Sequence, residues 1–380
     1  MELTRRRHVT QSMRRRTLLA TAGIALSAGC SESIPVLDPE ETDTETAPEN
    51  PEASPEAVPT QTDGATTSAE PTETEDQQTD TPSRAEREGA QVIATAREQL
   101  GEAYANFVAF AGGDDATLLD VTVATEVSFT QVTRYVSRAR ETLDDLPRRA
   151  SGEQIEAARG LRGVGVFLDQ SVRCHVDLGD AYEEFEPVID RLYTGQSGTV
   201  PNALGRMREA ATDATEHLDA IATEATVEDA AAFDPLDAET YDAKIVQLEQ
   251  GVTAFERLAD LLGGTKRGLD AFRNAGSAYR NRSFLEARRE FDTARDRLEP
   301  VTDGLSQLDA PDPMADAVTD LTGVTDALAR ACVDLEIAAD AGSRGDDQER
   351  DAALADAKAH LRESDVAVER LETVQRLLDE

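Results

Sequence analysis

The chain has 380 residues, and its 76 Asp and Glu stand against 38 Lys and Arg, a formal charge of −38. With that acidity, no Trp and only 4% aromatic residues, nucleic acid is excluded as a partner, because phosphate contacts need cations and base stacking needs rings. Residues 1–83 hold 16 acids and 6 arginines, so the remainder keeps 60 acids against 32 cations, or −28, and the acidity belongs to the body of the protein.

The first stretch in chain order is Arg14 to Cys30, which reads Arg-Arg-Arg-Thr-Leu-Leu-Ala-Thr-Ala-Gly-Ile-Ala-Leu-Ser-Ala-Gly-Cys. Arg15-Arg16-Thr17-Leu18-Leu19 fits a twin-arginine export pattern. The apolar run to Ala28 is shorter than the roughly 20 residues a membrane-spanning helix needs, and the small residues Ser27-Ala28-Gly29 lead into Cys30. On these residues the stretch resembles the export signal and lipobox of twin-arginine-exported lipoproteins of halophilic archaea. Arg14 stands where that pattern usually has Ser or Thr, and Ser27 where an aliphatic residue is usual. The resemblance covers about the first thirty residues and implies removal of residues 1–29, lipid on Cys30, and attachment to the outer face of the cytoplasmic membrane. The rest of the chain agrees with a halophile surface. Its charge would be screened within about 3 Å in molar salt, and Lys244, Lys266 and Lys358 are its only lysines, nearly all positive charge being Arg.

Residues 30–83 are expected to form a disordered tether. From Ser31 to Pro82 there is no basic residue, and Glu, Asp, Thr, Pro, Ala and Ser dominate. Such a composition buries too little apolar surface to offset ordering entropy, and its like charges and prolines favour extended conformers.

Residues 84–380 are expected to be all-α. Ser83 is a plausible N-cap for a helix marked by Val92, Ala96, Gln99, Ala103 and Phe107 and ended by Gly112-Gly113. Leu119 to Leu146 is read as a second helix, including the β-branched run Val121–Val127. A third runs from Glu153 to Tyr193 with Pro187 inside it, a fourth from Pro201 to Glu224, and a fifth from Ala238 to Leu262, closed by Gly263-Gly264. Ala271 to Pro300 resembles a tetratricopeptide repeat: Ala275 and Ala278 in a first helix, then Phe284, Ala287, Phe291 and Ala294 in a second, closed by Pro300. The last helix is expected over Asp347–Glu380. Leu161-x-Gly163-Val164 with Cys174 is echoed by Leu321-x-Gly323-Val324 with Cys332, which suggests two related halves, 84–235 and 236–380. The architecture expected is antiparallel helical hairpins in a TPR-like solenoid or an elongated bundle.

Catalytic patterns are absent from the sequence. Gly263-Gly264-Thr265-Lys266 lacks the upstream glycine and the preceding strand of a phosphate loop, and no nucleophile or metal constellation can be assembled, so no enzyme and no cofactor or metal are expected. His217 lies four residues after Asp213 and His360 four after Asp356, a spacing that puts each pair on one helix face and could share a metal, though Asp-rich surface helices produce such pairs by accident; His175 is read as a satisfied core residue. Cys174 and Cys332 are a candidate disulfide pair outside the membrane. Between Lys266 and Arg297 nine cations meet five acids. Within this basic island Arg280, Arg282, Arg288 and Arg289 are read first as pairing with acidic neighbours on adjacent helices or at helical spacing, as Arg288 could with Asp292, and alternatively as a candidate docking patch; Asn281-Arg282-Ser283 is a glycosylation sequon. The function expected is a surface-anchored interaction or scaffold module engaging an envelope protein. The alternatives are a metal- or solute-binding lipoprotein serving a transporter, and an envelope enzyme.

Overall fold

The computed structural model describes residues 83–363 together with Leu371 and Val374. The export signal with Arg15 and Arg16, the lipidation site Cys30, the tether to Pro82 and most of the chain beyond 363 lie outside the described residues. Those described are all-α, with no strand among them. The helices are α1 (Arg84–Val108), α2 (Phe129–Asp144), α3 (Gly152–Tyr193), α4 (Val200–Glu224), α5 (Ala238–Arg280), α6 (Phe284–Ser306), α7 (Asp312–Arg344) and α8 (Asp347–Glu363). None is long and apolar enough to cross a membrane.

Helix starts follow from local chemistry. Ser83 accepts from the Glu86 amide while the Glu86 carboxylate accepts from the Ser83 amide, a reciprocal box repeated by Ser151 and Gln154 at α3. Asp237 caps α5 through the Thr240 amide at 2.6 Å. Gly345, at φ 76°, ends α7 in the left-handed conformation that only glycine adopts without steric cost.

Each helix packs on its neighbour in the chain. The pairs are antiparallel: Thr133 meets Asp169 and Asp144 meets Arg162 between α2 and α3, Glu184 meets Arg206 between α3 and α4, and Arg288 meets Asp340 and Arg295 meets Glu336 between α6 and α7. Second neighbours α1 and α3, and α3 and α5, also pack. The latter pair runs parallel, with Phe167 stacked on Tyr241 at 4.3 Å and Arg273 donating to the Leu192 carbonyl.

Three sequence expectations fail, each for a physical reason. Gly263-Gly264 does not stop α5, which runs on for 43 residues. Gly263 faces Leu204 and Arg208 of α4, while Gly264 lies in the seam with α6, where its Cβ would stand 2.5 Å from Val301 Cγ2 and one on Gly268 2.6 Å from Leu298 Cδ2. The helix therefore carries glycines, at about 1 kcal/mol each relative to Ala, so that α6 can approach closely. Farther along the seam Phe272 meets Phe291 edge to face at 5.8 Å. Nor does Pro300 close α6. It is exposed, so water can reach the carbonyl its ring leaves unbonded, and the buried Val301 and Leu305 beyond it hold the helix to its neighbours.

The third failure is the run Val121–Val127, which is not helical. A 3-10 turn, Leu118–Asp120, is boxed by Thr117, and Val121 is extended at ψ 102°. The Thr122 amide donates to the Thr125 hydroxyl, one of the local side-chain bonds by which Thr competes with a helix. The helix starts only at Phe129.

Two apolar clusters make up the core. One joins α1, α2, the first half of α3, the end of α4 and the start of α5 around Leu100, Phe107, Phe167 and Phe233. The other joins the rest of α3 to α4, most of α5, and α6–α8, around Phe185, Phe255, Phe291 and Leu335, and includes Leu371 and Val374. The boundary crosses α3 between Val172 and Cys174, α5 between Tyr241 and Leu248, and the irregular segment between Val121 and Val123.

Candidate functional site

The cysteines do not form the candidate disulfide. Cys174 on α3 and Cys332 on α7 are both buried free thiols, and their helices pack on different partners, α3 on α1, α2, α4 and α5, α7 chiefly on α6 and α8. Burial, with Asp177 adding to it, pushes the Cys174 thiol up to about 12, and burial raises Cys332 as well. Both stay protonated and serve as small hydrophobes.

The histidines pair across helices and not along them. His217 Nε2 lies 3.3 Å from Asp177 Oδ2, and its Nδ1 is 2.7 Å from Gln170 Oε1, both on α3; His360 Nε2 lies 3.4 Å from Asp334 on α7. Asp213 and Asp356 are not the partners. Burial, then Asp213 and Asp180, raise the Asp177 carboxyl to about 6, and burial lowers His217. Both shifts oppose ionisation, so this contact is not a strong ion pair at neutral pH. Among the described residues no group of three or more His, Cys, Asp or Glu is placed to share a metal ion.

The basic island divides. Lys266 and Arg273 both bind Asp270; Arg295 lies among Asp292, Asp296, Glu299 and Glu336; Arg297 donates to the Arg267 carbonyl. Arg288 pairs with Asp340 of α7 at 2.9 Å, and the expected partner Asp292 goes to Arg295. Arg280, Arg282 and Arg289 are exposed at the corner where α5 turns into α6, beside Leu285, which is 63% exposed. Asn281 is exposed there too. The corner is a helix-ending motif in which the Ser283 amide donates to the Ala278 carbonyl and the Arg282 amide to the Tyr279 carbonyl, both at 2.9 Å. Its left-handed position, normally glycine, is occupied by Arg282 at φ 57°, which no other non-glycine residue among those described shares.

A second site lies at the boundary between the two apolar clusters, and its key residue was passed over in the sequence. Lys244 is fully buried on α5. Its ammonium donates to the carbonyls of Leu118 and Val121 at 2.9 and 3.0 Å and to Gln247 Oε1 at 2.7 Å, while Gln247 Nε2 donates to the Leu119 carbonyl. The three carbonyls that a helix would have bonded to amides are thus taken by two side chains, which hold the irregular segment open. Burial pushes Lys244 down to about 7. Its spacing with Tyr241 and Leu248, three and four residues apart on one apolar stripe, was the available signal.

Across the Phe107 ring from Lys244 stands His175. The ammonium is 5.6 Å from the ring centroid, and the imidazole meets the ring edge-on at 5.7 Å. His175 is 2% exposed, and neither ring nitrogen has a hydrogen-bond partner among the described residues. Buried it is, as expected, but not satisfied. Burial, reinforced by Lys244, holds its pKa well below the usual imidazole range, so the ring is neutral. It lines a cavity of about 220 Å³ with Leu178, Thr122, Val123, Gln247, Gln250 and the 309–313 segment leading into α7. Comparison with family models, curated proteins and solved structures finds no match for the chain.

Proposed function

We propose that the protein is a lipid-anchored interaction module of the cell envelope, whose helical body, stacked as TPR-like hairpins, docks an acidic partner protein at the α5–α6 corner. The signal and Cys30 supply the anchor and the acidic tether the reach. Charge complementarity supports an acidic partner: Arg280, Arg282 and Arg289 project from a body of −28, while Lys266, Arg273, Arg288 and Arg295 are engaged inside it.

The observation that carries the reading is Arg282. A left-handed backbone costs an L-residue about 1–2 kcal/mol relative to glycine, and among the described residues no hydrogen bond or ion pair of the Arg282 side chain offsets that cost. A residue held in such a conformation points to a use outside the fold. Arg282→Gly should therefore raise the melting temperature and, at the same time, weaken recovery of a stoichiometric acidic protein crosslinked to the corner in membranes. A stabilised variant that recovers the same partner as the parent would refute the docking role, as would parent protein that binds anionic vesicles and captures no protein. A glycan found on every Asn281 would cover the corner and equally count against it.

A further inference from the structure

We propose that α7 is the seam of a homodimer, its outer face packing antiparallel against the same face of a second copy of the chain. This inference rests neither on the lipid anchor nor on the α5–α6 corner.

α7 turns one side to the core, around Leu321, Leu328 and Leu335. Along the opposite side run Asp326, Arg330, Val333, Ile337, Asp340 and Arg344, alternately four and three residues apart and each half-buried or exposed. That alternation averages 3.5 residues, the period at which two helices stay in contact along a seam. At 1.5 Å per residue the stripe covers about 27 Å.

The centre of the stripe is apolar. Val333 and Ile337 are 43% and 44% exposed, and of the large hydrophobics exposed among the described residues only these two stand one turn apart on a helix. Single apolar residues on a surface need no explanation, but a pair on one stripe gives a second helix something to bury.

The charges name the occupant and its direction. The stripe reads Asp, Arg, two apolar residues, then Asp, Arg. In an antiparallel pair about a two-fold axis level with Leu335, Asp326 meets Arg344, Arg330 meets Asp340 and Val333 meets Ile337, each contact made twice. A parallel pair would set Asp on Asp and Arg on Arg. An antiparallel pair slipped by seven residues would lay Val333 and Ile337 against charges. The sequence thus disfavours both alternatives and matches itself in one register.

The charged groups are already in place for this contact. Arg330 pairs with Asp326 at 2.7 Å and Arg344 with Asp340 at 3.2 Å, each one turn apart, and Asp340 also takes Arg288 of α6. These four side chains remain 39% to 62% exposed. A second copy therefore gives each an opposite charge without removing the one it has. Two bodies of −28 repel in dilute buffer, and molar salt screens that repulsion beyond about 3 Å while strengthening apolar contact. With so few apolar layers the dimer is weak and reversible.

The test uses the full chain carrying Cys30→Ser, which removes any lipid and leaves the buried thiols Cys174 and Cys332, in molar salt. Sedimentation equilibrium over a range of concentrations should show reversible doubling of the mass. Ile337→Glu, at an exposed position, should leave the melting temperature unchanged and weaken association by about tenfold or more. A mixture of Arg330→Cys and Asp340→Cys chains should form a disulfide between the two on air oxidation. Arg330→Cys alone should not, because its two copies stand about 15 Å apart along the seam. If Ile337→Glu fails to fold, the cysteine mixture decides. A monomer at every concentration, association unmoved by Ile337→Glu, or crosslinking of Arg330→Cys alone as complete as that of the mixture would overturn the proposal.

Discussion

Replacing Lys244 with Met tests the device on which the irregular segment rests. The variant removes a cation whose pKa falls from 10.5 in the unfolded chain to about 7 in the fold. Because the folded pKa is depressed, the unfolded state binds more protons between those values, so the wild-type protein gains stability as pH rises from 7 toward 10.5 and keeps the full penalty below 7. For these two values the penalty is about 4 kcal/mol at pH 7 and about 2 kcal/mol at pH 9. Met has no such term, but it leaves the carbonyls of Leu118 and Val121 without their donor, at about 1–3 kcal/mol for each left unsatisfied. The two effects oppose each other at pH 7 and separate at pH 9. Wild type minus variant should therefore grow in favour of wild type by about 2 kcal/mol between pH 7 and pH 9, measured by urea unfolding at fixed molar salt. Parallel pH profiles for the two proteins would refute the reasoning, since they would mean that the three acceptors keep the ammonium charged throughout.

Two further outcomes are expected. Gly268→Ala should destabilise by about 1–3 kcal/mol, because the new methyl meets Leu298 Cγ and Cδ2 at 2.7 and 2.6 Å, whereas Gly323→Ala, with nothing within 4 Å, should stabilise by about 0.5–1 kcal/mol; chemical unfolding of the pair checks both signs against each other. Cys30→Ser should release the protein from membranes or leave it unprocessed, and a processed variant that still sediments with membranes would remove the lipid anchor from the proposal.

Most helix starts and faces were legible because they depend on neighbours in sequence. Ser83 with Glu86, the stripe from Leu161 to Leu192, and the spacing of Phe284, Ala287, Phe291 and Ala294 each state a local requirement that the fold keeps. Helix ends were less legible. A glycine pair reads as a stop when only the chain is considered, and Gly264 remains helical because Val301, 37 positions later, needs the space of a missing side chain. The spacing of Asp213 with His217 and of Asp356 with His360 put each pair on one helix face, but a helix that packs on two sides also offers its histidine a carboxylate from the preceding helix, Asp177 or Asp334. In the candidate docking patch, the pairing of Arg288 with Asp340 was not legible, because it depends on how α6 lies on α7.

The misread run Val121–Val127 and the misjudged His175 are one place in the molecule, and that coincidence carries weight. At most helix starts local preference and tertiary packing agree, as a foldable sequence requires. Here a segment is kept from pairing its own carbonyls, a lysine is buried to serve them with no carboxylate in ion-pair contact among the described residues, and an imidazole is buried with no hydrogen-bond partner among them, the lysine and the imidazole both beside the Phe107 ring. An apolar seam between α3 and α5 would have joined the two clusters with less cost, since replacing buried charge by packed hydrophobic residues is often neutral or stabilising. A chain that keeps the costlier arrangement at the boundary of its two cores departs there from the agreement of local and tertiary preference that its helix starts show.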